Sequence, residues 1–557
     1  MHVYHYAPYE PTAFKRLMGR HATRARELDR MLRAELFVDL CAVVKQGLRA
    51  SVESYSIKKL EPFYDFTRKA ELRAAGAARR AVEFGLQTGD LTVLTPEVKD
   101  LVALYNEEDC VSALRLRDWL ETLRPAAPRP PLGGGTASEE AEKRGAEVQA
   151  AMDALLKGVP DEKADRTPEQ HACWLLAHML EFHRREDKVT WWEFYRLRDL
   201  TDEDDLLDER KVIAGLKFEK RTPPQGKRAK APTDHYKCPS QDFEGGEGDE
   251  LFTSDGKSLG TIDSIDRAAR RIAIKLRLNR IDDADHPRWA FAHSHVRPDA
   301  LVASLMRLAS DIAKNGFTPK SAARDLLLGN PPRLKKGTFG PSNGEKPLDF
   351  ATRTVLSLDR SLLAIQGPPG AGKTYTGARM IVACIKAGLK VGITAVSHKV
   401  IRNLLDAVLE AAREMKVFVS CVQKVKEKSE TPTRGIEEVT DNADVLAALA
   451  DGSAQVGAGT AWLWSREEYA GAVDVLFVDE AGQASLANVL AMAQAAKSVV
   501  LLGDPQQLEQ PQRGTHPEGV DASALEHILA GSKTIPEGRG IFLDKTWRLP
   551  PAICAFT

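Results

Sequence analysis

SLLAIQGPPGAGKTYTGARMIVACIKAG, residues 361–388, decides the fold. A short apolar run ends in a glycine-rich turn, GPPGAGKT, and the turn opens into apolar residues at helical spacing. Strand, then G-x4-G-K-T, then helix is the context that makes a P-loop of such a sequence. Glycines let backbone N–H groups close around phosphate oxygens, and the helix N-terminus adds partial positive charge. Phosphate binding is therefore assigned to Gly367, Pro368, Pro369, Gly370, Ala371, Gly372, Lys373, Thr374 and Tyr375. Lys373 is expected to reach the β- and γ-phosphates of ATP, and Thr374 to hold Mg²⁺ through its hydroxyl.

Two later stretches fit the same sheet. AVDVLFVDEAGQ (472–483) is a buried strand that delivers Asp479 and Glu480 at its C-terminal end, the edge where ligands sit in open α/β sheets. Asp479 suits a carboxylate of the Mg²⁺ shell, and Glu480 the base that orients the attacking water. SVVLLGDPQQLEQP (498–511) is another apolar run, and its Gln507 can hydrogen-bond the γ-phosphate and report its loss.

Here the chain resembles the superfamily 1 helicases, in the branch that carries GPPG-x-GKT, DEA-x-Q, GD-x-x-QL and an arginine before a proline. The sequence reads GPPGAGKT, DEAGQ, GDPQQL and WRLPP. GITAVSHKVIRNLL (392–405) is similar to the branch's next motif, which sets a strand end against the nucleic-acid backbone. The resemblance covers residues 346–557 and implies a first RecA-like lobe, with Arg548 stabilising transition-state charge. It also implies that a second RecA-like lobe follows Thr557. The family's adenine-reading Gln has no counterpart in LDFATRTVLSLDR (348–360), so base selectivity stays open.

Ahead of the motor the composition changes several times. A mixed α/β region over 1–125 meets a Pro- and Gly-rich linker at 126–145, from RPAAPRPPLGGGTASEE. Helical spacing over 146–210 and 296–345 reads as a stalk, and alternating strands such as GTIDSID and RRIAIKLRL over 211–295 as a small β-barrel or sheet. KFEKRTPPQGKRAKAP (217–232) and DRAARRIAIKLRLNR (266–280) could track a nucleic-acid backbone or form a solvated face. Trp191 and Trp192 fit core anchors better than base-stacking faces. His171, His178 and His183 share no metal-binding face. The seven cysteines form no CxxC pair, which argues against zinc and iron–sulfur sites.

YHYAPYEPTAFKRL (4–17), ELFVDLCAVV (35–44), SYSIKKLEPFYDF (54–66) and LYNEEDCVSALRLRDWL (104–120) follow one another in the order of a DnaQ-like, RNase H-fold exonuclease. That resemblance implies that Glu10 and Asp109 hold Mg²⁺ or Mn²⁺ and that Tyr105 orients water. Asp39 takes the place of a strand-end Asp that is not a ligand. The family's first motif, D-x-E, has no counterpart after Met1 and is expected upstream.

The fold class expected is α/β: a P-loop RecA-like parallel-sheet lobe with helical stalk and small β-barrel insert, preceded by a partial RNase H-like domain. This layout resembles the bacterial bifunctional RecB-family nuclease/helicases, cut at both ends, with a RecB-like nuclease upstream. It implies an ATP-driven DNA helicase or translocase acting with nuclease modules in repair or processing, on single-stranded DNA. An RNA helicase of the same branch, or a P-loop scaffold with an inert exonuclease-like domain, are the alternatives. A net charge of −1 leaves any nucleic-acid surface to local patches. The absence of a basic-then-apolar leader and of long apolar runs gives a cytoplasmic expectation, with no membrane partner.

Overall fold

The computed structural model describes residues 2–7, 9–21, 23–34, 36–69, 71–124, 139–200, 203–224, 231–281, 286–429, 431–507 and 512–547. The chain divides into two compact units, residues 1–143 and 144–557. Residues 125–138, most of the expected linker, lie outside the described residues, and the helix Glu139–Leu156 already occupies its end.

The first unit pairs two short parallel strands, β1 (Val3–His5) and β2 (Phe37–Asp39), with Val3 opposite Phe37. Helices surround them, the longest being Pro96–Leu123, which starts on a Thr95 cap and a proline in its first turn. Leu40, Val44, Leu60 and Leu116 form its buried core.

In the second unit an antiparallel sheet is built from β3 (Val212–Ala214), β4 (Lys217–Thr222), β5 (Thr233–Lys237), β6 (Glu250–Phe252), β7 (Ser258–Asp266), β8 (Arg271–Leu276) and β9 (Trp289–Ala292). Its order is β3-β9-β6-β7-β8-β5-β4. Alternation puts Ile213, Tyr236, Leu251, Ile262 and Ile274 inside and leaves β4 largely exposed. The basic stretch on β8 and beyond is mostly paired: Arg271 with Glu219, Arg277 with Glu250 and Arg280 with Asp255. Those pairs favour the solvated-face reading for 266–280. Residues 225–230, with three of the other run's six basic residues, lie outside the described residues.

The larger sheet is wholly parallel. It comprises β10 (Leu362–Gln366), β11 (Val391–Thr394), β12 (Cys421–Lys424), β13 (Ile436–Val439), β14 (Val456–Ala458), β15 (Val473–Val478), β16 (Ala496–Gly503) and β17 (Gly540–Phe542). The order is β13-β12-β14-β11-β15-β16-β10-β17. Its central strands β10 and β11 are buried on every residue because both faces of the sheet are covered. Leu362, Ala364, Leu476 and Val478 point to one core, with Leu175, Leu301, Leu326 and Leu490 from helices on that side. Leu363, Ile365, Val475 and Phe477 point to the other, against Phe350, Met380 and Leu404. The fold is thus mixed α/β with a parallel P-loop sheet, as the sequence implied. No helix among the described residues is long and apolar enough to cross a membrane.

Candidate nucleotide site at the sheet edge

Strands β15, β16 and β10 are consecutive neighbours, with Val478 opposite Leu501 and Gln366 opposite Gly503. Their C-terminal ends therefore bring the three motifs to one edge. After β10 the chain turns through Gly370 and Gly372, both left-handed at φ 80° and 85°, where a side chain would be strained. The helix Lys373–Lys386 starts directly from Gly372 with no side-chain cap, so its first N–H groups remain for an anion. Lys373 is buried, and its Nζ donates to the Gly367 carbonyl at 2.6 Å and the Pro368 carbonyl at 3.4 Å. An ammonium folded back onto its own loop is the arrangement a phosphate would compete for. Thr374 is half-buried behind it, and Tyr375 is exposed with the Arg379 guanidinium 3.3 Å over its ring.

Asp479 directly follows β15, its N–H donating to the Thr394 carbonyl and its Oδ1 accepting from the Glu480 N–H at 3.0 Å. Burial, and then the neighbouring Glu480 charge, push its carboxyl up to about 6, against the pull of Lys373. A carboxylate raised by burial and by a like charge is stabilised by any cation that reaches it. Glu480 is half-buried and sits at φ 53°, a left-handed backbone unusual for a residue with a side chain. Close packing of two turns fixes it there. A Cβ on Gly482 would come within 2.3 Å of the Asp504 carbonyl oxygen, and one on Gly503 within 2.6 Å of the Gly482 nitrogen. Asp504 is buried and takes the Gln506 N–H at 3.1 Å, and Gln507 follows, half-buried, at the same edge.

The segment after β17 closes over the loop. Leu543 N–H donates to the Gln366 carbonyl at 2.8 Å and Trp547 N–H to the Gly370 carbonyl at 2.9 Å. Arg548 itself lies outside the described residues. Its chain neighbour Trp547 is bonded to the P-loop, a contact no sequence signal announced. The helix His398–Glu414 follows β11 from a Ser397 cap, in the stretch read as a backbone-contacting motif.

The first unit is arranged differently. Tyr105 and Asp109 do share a face of the Pro96–Leu123 helix, but both meet cations of the chain itself. Lys58 Nζ donates to the Tyr105 hydroxyl at 2.8 Å. An Arg68 Nη1 lies 2.6 Å from Asp109 Oδ1, an ion pair whose angle falls outside hydrogen-bond geometry. The same guanidinium donates to Glu61 Oε1 at 2.8 and 2.6 Å, and Ser112 adds a third donor there. Burial works against the charged guanidinium, yet Glu61 and Asp109 outweigh it and hold its pKa above the usual arginine value. Glu10 is exposed in the first turn of the helix Tyr9–His21. No cluster of three or more His, Cys, Asp or Glu suited to a metal occurs among the described residues. The side chains present do not fit a two-metal centre. Asp39 instead accepts the N–H groups of Ala7 at 2.9 Å and Cys41 at 2.8 Å, a structural role.

One expectation needs correcting. Trp191 is 39% exposed, its ring set against Phe194, Tyr195, His293 and His295 at the solvent margin of the cluster that buries Phe194 and Leu197. Half-buried His178 and buried His183 are both held down to about 4, chiefly by desolvation.

Residues 350–528 match the family described as AAA domain, and residues 1–121 match the RNase_H superfamily. Among curated proteins, mouse DNA-binding protein SMUBP-2 is 31% identical over 118 residues, 19% of this chain and 11% of that protein. The chain thus spans about a tenth of that relative's length. Among solved structures, the arterivirus nonstructural protein 10 helicase aligns at 13% identity and a TM-score of 0.25, covering 56% of this chain and 55% of that one. The same helicase in complex with DNA aligns at 16% identity and a TM-score of 0.19, over 30% and 33%. An RNase H-like domain and an AAA-type P-loop domain are therefore present in one chain.

Proposed function

We propose that this chain is the motor portion of a nucleic-acid-dependent ATPase of the superfamily 1 helicase type, coupled to nuclease modules and acting on single-stranded DNA. The observation that carries the reading is the meeting of three motifs at the ends of adjacent strands β10, β16 and β15. Lys373 and the N–H groups of the glycine turn would take the phosphates. Thr374 and Asp479 would hold Mg²⁺, which draws charge from the phosphate oxygens when bound. Glu480 accepts a proton from water at its carboxylate, Gln507 reads the γ-phosphate, and Arg548 offsets charge developing on the transferred group. The proposed division of the chain is an exonuclease-like domain over 1–125, a linker to 145, stalk segments at 146–210 and 296–345, a β insert at 211–295 and a motor lobe at 346–557.

The likeness to bifunctional RecB-family nuclease/helicases supports DNA processing as the setting. The Arg68–Asp109 pair favours a specific second reading for the first unit, an exonuclease-like fold that serves as a scaffold. The test is ATP hydrolysis by the purified chain with single-stranded DNA, with RNA and with neither. Stimulation by DNA supports the proposal. Stimulation by RNA alone moves it to the RNA branch, and hydrolysis indifferent to both leaves only a P-loop scaffold.

A further inference from the structure

The chain that follows Gln507 is met again at Gln512, and there it is fastened to a distant helix. Glu186, in the helix Phe182–Arg198, accepts the Arg513 N–H at 3.0 Å on Oε2 and the Gly514 N–H at 2.9 Å on Oε1. Its Oε1 also lies 2.6 Å from His516 Nε2. A carboxylate can only accept, so that nitrogen carries the proton. The His516 ring is fully buried and stacks on Phe182, with centroids 4.3 Å apart and planes 14° apart. Arg513 Nη1 adds a bond to Thr190 Oγ1 at 3.0 Å, one turn along the same helix. The approach is close enough that a Cβ on Gly514 would come within 2.9 Å of the Arg185 backbone, so only glycine fits.

The other half of this helix belongs to the antiparallel sheet. Phe194 and Leu197 are buried with Val212 and Ala214 of β3 and Phe291 of β9. One rigid helix of 17 residues therefore has one end bonded to the segment after the γ-phosphate-reading strand and the other packed into the sheet. Charge-assisted hydrogen bonds to two backbone N–H groups and a buried imidazole resist sliding, since each needs its own direction.

We propose that Glu186 is a positioning residue that ties the segment after Gln507 to the Phe182–Arg198 helix, so that nucleotide state at the P-loop moves the antiparallel sheet. This rests on the reading of Gln507 as the γ-phosphate contact. Its experiment separates the two. Amide hydrogen exchange is followed in the whole chain, with and without a non-hydrolysable ATP analogue and Mg²⁺. In the parent protein, nucleotide should slow exchange at the P-loop and also in 182–198, β3 and β9. In Glu186→Ala the P-loop response should persist, while the nucleotide-induced change in the helix and sheet falls at least fivefold. Glu186→Gln keeps one oxygen for Gly514 and should retain part of it, and Gly514→Ala should reproduce the loss through a different atom. Absence of P-loop protection in the parent protein overturns the phosphate-site reading. Protection there with an unchanged helix response in both Glu186→Ala and Gly514→Ala overturns the tie alone. Exchange in the helix raised equally with and without nucleotide, its nucleotide response intact, makes Glu186 merely structural and also overturns it.

Discussion

Two sites in this chain hold acidic side chains that sequence reasoning linked to metal, and the chain treats them in opposite ways. At the sheet edge Asp479 is buried beside Glu480, which raises its carboxyl further, and Lys373 folds back onto carbonyls of its own loop. On the Pro96–Leu123 helix, Asp109 already faces a guanidinium and Tyr105 an ammonium. A site with charge left unsettled is prepared for a ligand, and a site whose charges are internally matched is closed to one until a partner leaves. The helix of the first unit carries Tyr105 and Asp109 with their charges already matched, whereas the carboxyl at the sheet edge is held above its usual range.

The sharpest way to break this contrast is at the sheet edge. Glu480→Gln should lower ATP hydrolysis by about 100-fold or more while leaving nucleotide binding intact, because the role proposed for Glu480 is on water in the transition state. Lys373→Ala should weaken binding itself, as read by titration with a fluorescent nucleotide. The reverse pattern would mean the two roles are exchanged.

Next comes Arg68→Ala, which strips the cation from buried Glu61 as well as from Asp109. Loss of about 3 kcal/mol in the first unit is expected from denaturant unfolding, since a buried carboxylate is left unpaired. Asp109→Ala, at a carboxylate 38% exposed, should cost far less. Equal costs would show that Arg68 is held mainly by Asp109.

A third effect runs through pH. The folded Asp479 carboxyl is raised from 3.8 to about 6, so its ionised form is the costly one. Well below 3.8 the group is protonated whether folded or not, and nothing is lost. As pH rises from about 4 to about 6 the folded state gives up about 2 to 3 kcal/mol, and the loss is complete above that. Asp479→Asn should therefore raise the nucleotide-free melting temperature at pH 8 but not at pH 3. An equal gain at both values would point to packing instead of charge.

The smallest effect is expected from metal on the first unit. Millimolar Mn²⁺ should leave its unfolding midpoint unchanged, with no metal-dependent nuclease activity from this chain. A midpoint shift abolished by Asp109→Ala would show that manganese displaces Arg68, which would erase the contrast.

The motor edge was legible because each of its parts is local. An apolar run gives a buried strand, the glycines after it give the turn, and the charged residue comes next in the chain. Gly482 and Gly503 were readable as glycines but not as mutual contacts, because nothing in either stretch announces that the two turns touch. Arg68 on Asp109 was not legible, since a guanidinium finds its partner through the fold and leaves no periodic trace. The Glu186–Arg513 contact spans 327 residues and was equally hidden. Trp191 was misjudged because helical spacing cannot say which turn the sheet will cover.

The left-handed backbone at Glu480 has a consequence for anyone evolving this protein in the laboratory. A non-glycine residue at φ 53° carries a conformational penalty of about 1 kcal/mol. Glycine there would remove the penalty together with the carboxylate proposed to orient water. Heat challenge as the sole selection would thus enrich Glu480→Gly, and the hardiest clones would be inert. A library scored for both residual fold and phosphate release would show the two traits pulling apart at this codon.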